Sequence, residues 1–505
     1  MKHWKSLGGT TAVFLATGGM AQAEVTSAEV WEAWQAMAQS VGQTMTPGSE
    51  SMDGGTLTLS ELEISMATTD VSVTGTIPEV VFTEQGDGTV AVDISPSYDM
   101  VVTIAPESGE TVTVTLTIDS DGLMMLASGD PGAVNYDYEA ASMDISVSEL
   151  DVDGEVLELD AVITLSGLSG VYGTSGGDDA MMTTAMNADS LDIAIQMDEP
   201  DGGDGAFDAN LSYADISSRS DGSMMLFAGG VKKLPEMLAA GLGTEAAITH
   251  GAATYEVNFE DGSDAFALSG TADSGLLEVA LSAQSLSYDI GNTGLDISMS
   301  GSEIPLPEVA FSLGELGLGL LMPVSASEEP QDFGLGITLA DLAVSDMIWS
   351  MIDAGGQLPH DPATLIVDVS GKANFLFDIF NPDSAMEVDA EMPAELHALD
   401  VNQVRVAIAG AELTSTGGFT FDMSNLETFD GMPAPTGKLD IRVVGANGLM
   451  DTLVAMGLLP EDQAMGARMM MGLFARPGDG PDTLVSEIEV DGATGAISAN
   501  GQRLQ

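Results

Sequence analysis

Apolar and polar residues alternate along most of this chain with a period of two. In TVTVTLTIDSDG (111–122), Val112, Val114, Leu116 and Ile118 fall on one side and four threonines on the other, the pattern of a strand with one covered face. The same alternation marks 56–65, 69–77 and 88–95, and then 99–122 as a hairpin turning at Pro106–Gly109. It continues as a second hairpin, 142–167, turning at Asp153-Gly154, and through 190–197, 209–217, 253–270 and 276–301. Late strands are predicted at 364–371, 402–410, 417–424 and 438–445.

Helical spacing is rarer. Thr26 and Glu29 stand at capping-box distance, and Val30, Trp34, Met37 and Val41 recur behind them, with Thr46-Pro47-Gly48 closing the element. Further helices are predicted at 231–243, at 341–356, and as a pair over 447–474 broken at Leu459-Pro460. The fold class expected is mainly β, a β-rich α+β chain of long, twisted, mostly antiparallel sheets with a few helices covering one face. Pro305, Pro307 and Pro323 bracket the apolar stretch 309–324, which suits an edge strand or a bend.

The N-terminus changes the picture of where this sheet works. Lys2, His3 and Lys5, the apolar stretch Leu7–Met20 and Ala21-Gln22-Ala23 form the three parts of a secretory signal. Cleavage after Ala23 would leave 24–505 as one region, with two β-rich lobes expected at about 24–230 and 231–505. The expected compartment is the periplasm. The most apolar later segment, 309–324, is short and carries Glu315, so no transmembrane segment is expected after signal removal. Aromatic residues are only 5% and the closing NGQRLQ has no terminal aromatic, which argues against an outer-membrane barrel.

Charge narrows the partners. Asp and Glu number 79 against 12 Lys and Arg, a net of -67, and no Lys or Arg occurs from Glu24 to Ser218. Nucleic-acid binding needs cations facing phosphates and is excluded on this count. Docking on anionic lipid through a basic surface is disfavoured in the same way. Yet 44% of residues are hydrophobic, so the acids must decorate a folded chain and not a disordered tail. With no cysteine, disulfide and thiolate chemistry are absent.

Motifs with chemical meaning are sparse. Gly173-Thr174-Ser175-Gly176-Gly177 matches G-x-S-x-G, and a hydrolase would need a histidine beside Ser175. After the signal only His250, His360 and His397 remain, and a chain with 59 glycines produces such matches readily. Glu149, Asp151, Asp153, Gly154 and Asp160 fall at calcium-loop spacing, which makes Asp151, Asp153 and Asp160 weak calcium candidates. A hairpin with exposed acids accounts for the same letters, and no other metal or cofactor is implied. Met181, Met182 and Met186 could offer thioethers to Cu(I), with Met469–Met471 a second cluster, but filling of irregular apolar gaps explains methionine more simply.

Several segments resemble a known family. They are the apolar run 303–324, the stretch 331–373 with Trp349 and LPHDPATL (358–365), the closing 459–504 with Asn500-Gly501-Gln502, and VTSAEVWEAWQ near the start. Together they resemble the alphaproteobacterial exported family filed as domain of unknown function 2125. That resemblance implies localisation and a single-family architecture, and no activity.

The function expected is therefore that of a non-enzymatic envelope protein. It would present an apolar sheet face, with Val112, Val114, Leu116 and Ile118 as candidate ligand-binding residues, to a lipid, an acyl chain or an envelope-protein partner. A dry, closed core would produce the same alternation. An acidic, calcium-linked surface protein is the alternative, and a hydrolase built on Ser175 a third. Oligomeric state is not legible.

Overall fold

The computed structural model describes residues 24–504 apart from 69, 107, 176–180, 200–202, 204, 224–233, 242 and 381–393; the signal-like residues 1–23 lie outside the described residues. Strands dominate, as the periodicity predicts. The chain opens with helix α1 (Ser27–Ser40), whose capping box forms as expected: Thr26 caps Glu29 and the Glu29 side chain returns to the Thr26 backbone. The next segment departs from expectation. Thr46-Pro47-Gly48 does not end the helix but lies inside strand β1 (Gln43–Asp53). Gly42, at φ 76°, stops the helix earlier, and Pro47 is tolerated because β1 is an edge strand.

The sheet continues with β2 (Thr56–Ala67), β3 (Val71–Glu84), β4 (Val90–Ile94), β5 (Ser97–Ile104), β6 (Val112–Asp121), β7 (Met124–Asp130) and β8 (Ala133–Val152). Then come β9 (Glu155–Leu157), β10 (Leu159–Ser175), β11 (Met181–Asp198) and β12 (Ala206–Ser223), followed by the short helix α2 (Leu234–Ala239). Six further strands follow: β13 (Thr244–His250), β14 (Ala253–Asp261), β15 (Asp264–Ala272), β16 (Ser274–Leu281), β17 (Ser285–Gly301) and β18 (Val309–Pro323). The last third holds β19 (Gln331–Val344), α3 (Asp346–Ile352), β20 (Ala363–Phe375), β21 (Ala394–Ile408), β22 (Ala411–Asp422) and β23 (Ala434–Val444). It closes with α4 (Ala446–Ala455), α5 (Glu461–Phe474), β24 (Arg476–Pro477), β25 (Thr483–Asp491), β26 (Ala496–Ala499) and β27 (Gln502–Arg503). One helix expectation shrinks: 341–344 belongs to β19, leaving α3 only seven residues; of the expected helix 231–243, residues 231–233 and 242 lie outside the described residues, and α2 covers Leu234–Ala239.

All the strand pairings are antiparallel and join the strands into one sheet, which also runs unbroken from β12 into β13 and β14 across residue 230. Among the described residues β1 pairs only with β2, and β27 only with β26, and no pairing closes the sheet on itself. The stretch 309–324 is not an edge: β18 pairs with β17 on one side and β19 on the other. Its prolines lie before the strand or at its last residue, so they remove no central ladder bond.

One topological unit occurs twice. The C-terminal half of β3 pairs with β4 and its N-terminal half with β5; β5 then pairs with β6, β4 with β7, and β8 receives β7 on its N-terminal half and β6 on its C-terminal half. β12 through β17 repeat this connection step for step, with β13–β16 standing where β4–β7 stand. Residues 71–152 and 206–301 are thus two copies of a six-strand module.

A line of interrupted pairing crosses both modules and the long strands between and beyond them. It passes through Glu61, Pro78, Ala141, Gly167, Asp189, Asp215, Gly294, Gly314 and Asp341, each left out of a ladder whose register is otherwise constant on both sides. At this crease the apolar phase flips by one residue: Leu59 is followed by Leu62, Leu168 is preceded by Leu165, and Tyr213 is followed by Ile216. An extra residue inserted in every strand at the same level keeps the apolar side chains on one physical face while bending the strands. The Tyr213 ring meets the His250 ring across this line at 5.0 Å, which puts the apolar sides of the two halves together.

The outer edge of the crease is built from acid–glycine pairs. Gly48 lies against Glu61, Gly167 against Asp189, Gly251 against Asp215, Gly294 against Asp273 and Gly314 against Asp341. One member of each of these five pairs is left-handed and belongs to the crease itself: Glu61, Gly167, Asp215, Gly294 and Asp341, at φ 51°, 61°, 52°, 60° and 57°.

One hydrophobic core cluster of buried residues forms under α1. Val30, Trp31 and Trp34 meet Leu57, Leu59, Val80, Phe82, Val92 and Tyr136 there. Elsewhere the sheet is thinly covered.

Candidate functional site: the apolar side of the crease

The four residues singled out from the sequence sit on β6 and face a common side, each half-buried and none fully removed from water. Val112 stands between Ile104 and Val152, Val114 between Val102 and Leu150, and Leu116 between Met100 and Val147. Ile118 goes further. Starting from Tyr98, a directly opposed row runs through Ile118, Ile145, Ile163, Ile193, Leu211, Tyr255, Gly270, Ile297 and Phe311 to Val344. Ten strand spacings make it roughly 48 Å long.

On the other half of the sheet a matching row joins Ile248, Leu277, Ile290, Leu318, Ile337, Val367 and Val404. Ile248, Ile290 and Leu318 are among the exposed large hydrophobics, at 47%, 37% and 41%. Between the two rows, at the crease, Ala140, Leu168, Ala188, Ile216, Ala253, Ala272 and Leu313 are buried. Burial deepest at the fold line and falling away on both sides describes a trough with a greasy floor and half-open walls. α1 covers the apolar face at the β1–β3 end.

The opposite face is polar. Asp144, Thr164, Asp192, Ser212, Thr254, Thr271, Asp296 and Ser312 are directly opposed in one row, and the sheet's twist hollows part of it into a cavity of about 1020 Å³. Hydroxyls satisfy the carboxylates: Thr164 donates to Asp144 and Ser212 to Asp192, each at 2.5 Å. The polar face also holds Asp289, directly opposite Glu278. Burial, helped by the Glu278 charge, pushes its carboxyl up to about 6. Because the folded value lies above the unfolded one, the stabilisation from this group is full below about pH 4 and is lost as pH rises through about 6. Asp289→Asn should therefore raise stability at neutral pH and not at pH 4, by at most about 1 kcal/mol given solvent screening. Urea unfolding at the two pH values checks this, and equal shifts at both would refute it.

The other sequence candidates scatter. Asp151 accepts from the Gly154 N–H and Asp153 from the Thr111 N–H, both at 2.8 Å, so these carboxylates fasten the β8–β9 turn and the neighbouring chain. Asp160 lies beyond β9 on β10, opposite Gln196. Among the described residues no group of three His, Cys, Asp or Glu side chains is placed to hold a metal ion. Ser175 is the last residue of β10, opposite Met181, and Gly176-Gly177 of its motif lie outside the described residues. Met181 and Met182 are successive strand residues, so their side chains leave opposite faces and the thioethers of Met181, Met182 and Met186 do not converge.

Sequence reasoning missed the cluster after α3. Trp349 and His360 stack at 4.2 Å and 7°. Asp353, its side chain buried, lies 3.8 Å from His360 Nε2 and accepts from the Leu358 N–H at 2.6 Å. Backbone N–H groups of Gln357 and Leu358 hold its carboxyl below the usual range. This cluster pins the loop leading into β20; the spacing Trp349–Asp353–His360 was its only trace in the sequence. No helix among the described residues is long and apolar enough to cross a membrane.

Comparison with known proteins adds little chemistry. A family model described as "Uncharacterized protein conserved in bacteria (DUF2125)" matches residues 234–501, which leaves the N-terminal segment of the resemblance outside the match. No curated protein matches. Among solved structures, the ferric citrate transporter FecA in its unliganded form is similar at 7% identity over 88% of this chain and 72% of that one, with a TM-score of 0.16, too low to inform the fold.

Proposed function

Because the chain belongs to the bacterial family DUF2125, which lends it no activity, we propose a function from the sheet alone: a non-enzymatic, exported envelope protein that holds lipid acyl chains along the apolar side of its crease. One observation carries this reading. The opposed rows from Tyr98 to Val344 and from Ile248 to Val404 remain half-exposed over most of the sheet. A face meant only to close a core is covered, as α1 covers the β2–β3 end. Extended, sequence-blind apolar rows suit a flexible hydrocarbon better than a protein surface, which adds polar contacts at its rim. The acids on the outer face keep the trough soluble in the periplasm, the compartment the N-terminus implies.

Native mass spectrometry of the exported chain after mild extraction tests the proposal. Co-purifying lipid is expected, and it should be lost from the Ile193→Asp, Leu211→Asp variant. Added lipid at a hundredfold excess over Kd should stabilise the stripped chain by about 2.7 kcal/mol. A chain that carries no lipid and gains no stability from it would refute the reading.

A further inference from the structure

Helix α5 is turned the wrong way for a helix that packs on a core. Ala464 is buried and Arg468 half-buried, while Met465, Met469 and Leu473, one helical stripe, are exposed at 63%, 72% and 59% with Met470 beside them. Arg468 is spent inward, donating to Asp451 and to the Asn447 carbonyl. An outward apolar stripe of this kind marks a contact surface.

A second, independent observation lies at the end of the same helix. Arg442 and Arg476 stand on either side of Val485, two strand spacings apart, both exposed. They line a small cavity of about 270 Å³ with Thr414, Thr416 and two carboxylates, Asp440 and Glu487, both of which pair with Lys438. Neither arginine has a hydrogen bond or ion pair with a described residue, in a chain where acids outnumber bases 79 to 12. Arg405, Lys438 and Arg468 all have acidic partners. The end of α5 is fastened beside them, its Phe474 carbonyl accepting from Ser486 and from Asn500.

We infer that this face, the Met465–Met469–Leu473 stripe with Arg442 and Arg476, docks on a phospholipid bilayer. The stripe enters the interface and the two guanidinium groups meet lipid phosphates. Phosphate is the occupant that free arginines in an acidic protein complement, and apolar insertion supplies the affinity that net charge of this sign cannot. A zwitterionic bilayer is preferred, since its phosphates are present without a net charge to repel the chain. None of these residues belongs to the trough.

Flotation of the full chain with phosphatidylcholine vesicles tests it. The chain should rise with the vesicles. Met469→Asp with Leu473→Asp should weaken partition by at least roughly tenfold, and Arg442→Glu with Arg476→Glu several-fold. Met465→Gln with Met469→Gln, which adds no charge, should weaken it in the same direction, and all variants should keep the parent's unfolding midpoint within error. Ile193→Asp should float like the parent, separating docking from lipid loading. A parent chain that stays at the bottom, stripe variants that float unchanged, or a stripe that binds a protein but no vesicle would overturn the inference.

Discussion

Phe82→Ala is expected to lower the free energy of unfolding by about 4 kcal/mol. Phe82 is fully buried on the part of β3 that faces α1. Its ring meets Trp34 edge-on at 5.2 Å and Trp31 at 6.3 Å, and its strand neighbours are Leu57 and Val92. Removing it opens a cavity in the core cluster under α1, at the ring that both tryptophans share. Tryptophan fluorescence should shift to the red in parallel, because Trp31 and Trp34 lose their shared partner. A loss under about 1 kcal/mol would mean that α1 is seated by other contacts, and the picture of one localised core would fail.

Gly294→Ala should cost about 2–3 kcal/mol, from two separable sources. At φ 60° an added Cβ carries the left-handed penalty of about 1–2 kcal/mol. The same Cβ runs into the Asp273 carboxylate, and that side chain must swing aside. In the double variant with Asp273→Ala the steric part should vanish and the backbone part remain, giving a coupling energy of about 1 kcal/mol in a thermodynamic cycle. Strict additivity would show that Asp273 does not crowd this site. Because Gly294 sits at the fold line and not in a loop, the variant should also retain less lipid than the parent in the mass-spectrometric test of the proposed function.

Much of the architecture was legible from two-residue periodicity, and the crease explains what was not. The expected strand 190–197 begins just after Asp189, and the hairpin 142–167 begins after Ala141 and stops at Gly167. Each is half of a longer strand. The apolar phase slips at those residues, so a period-two reading ends where the real strand merely bends. β7 and β13 were missed for a different reason: SGD and THGA in and after them resemble turn sequence, and their pairing is supplied by long-range partners in β4 and β16. The apolar side of Val112–Ile118 could be read locally. Its continuation to Val344 could not, because it depends on nine cross-strand registers and not on spacing along the chain. Asp151 and Asp153 show the converse. Letters at calcium-loop spacing serve a hairpin turn, since Asp side chains also satisfy turn N–H groups.

The twofold occurrence of the six-strand module, 71–152 and 206–301, makes this sheet a ruler. Its cross-section is set within one module and its reach by how many are strung together, at roughly 4.8 Å for each strand position added, with two positions of each module filled by a pair of short strands. Growth by whole modules would lengthen such a conduit without redesigning its profile, so span and shape can be selected separately.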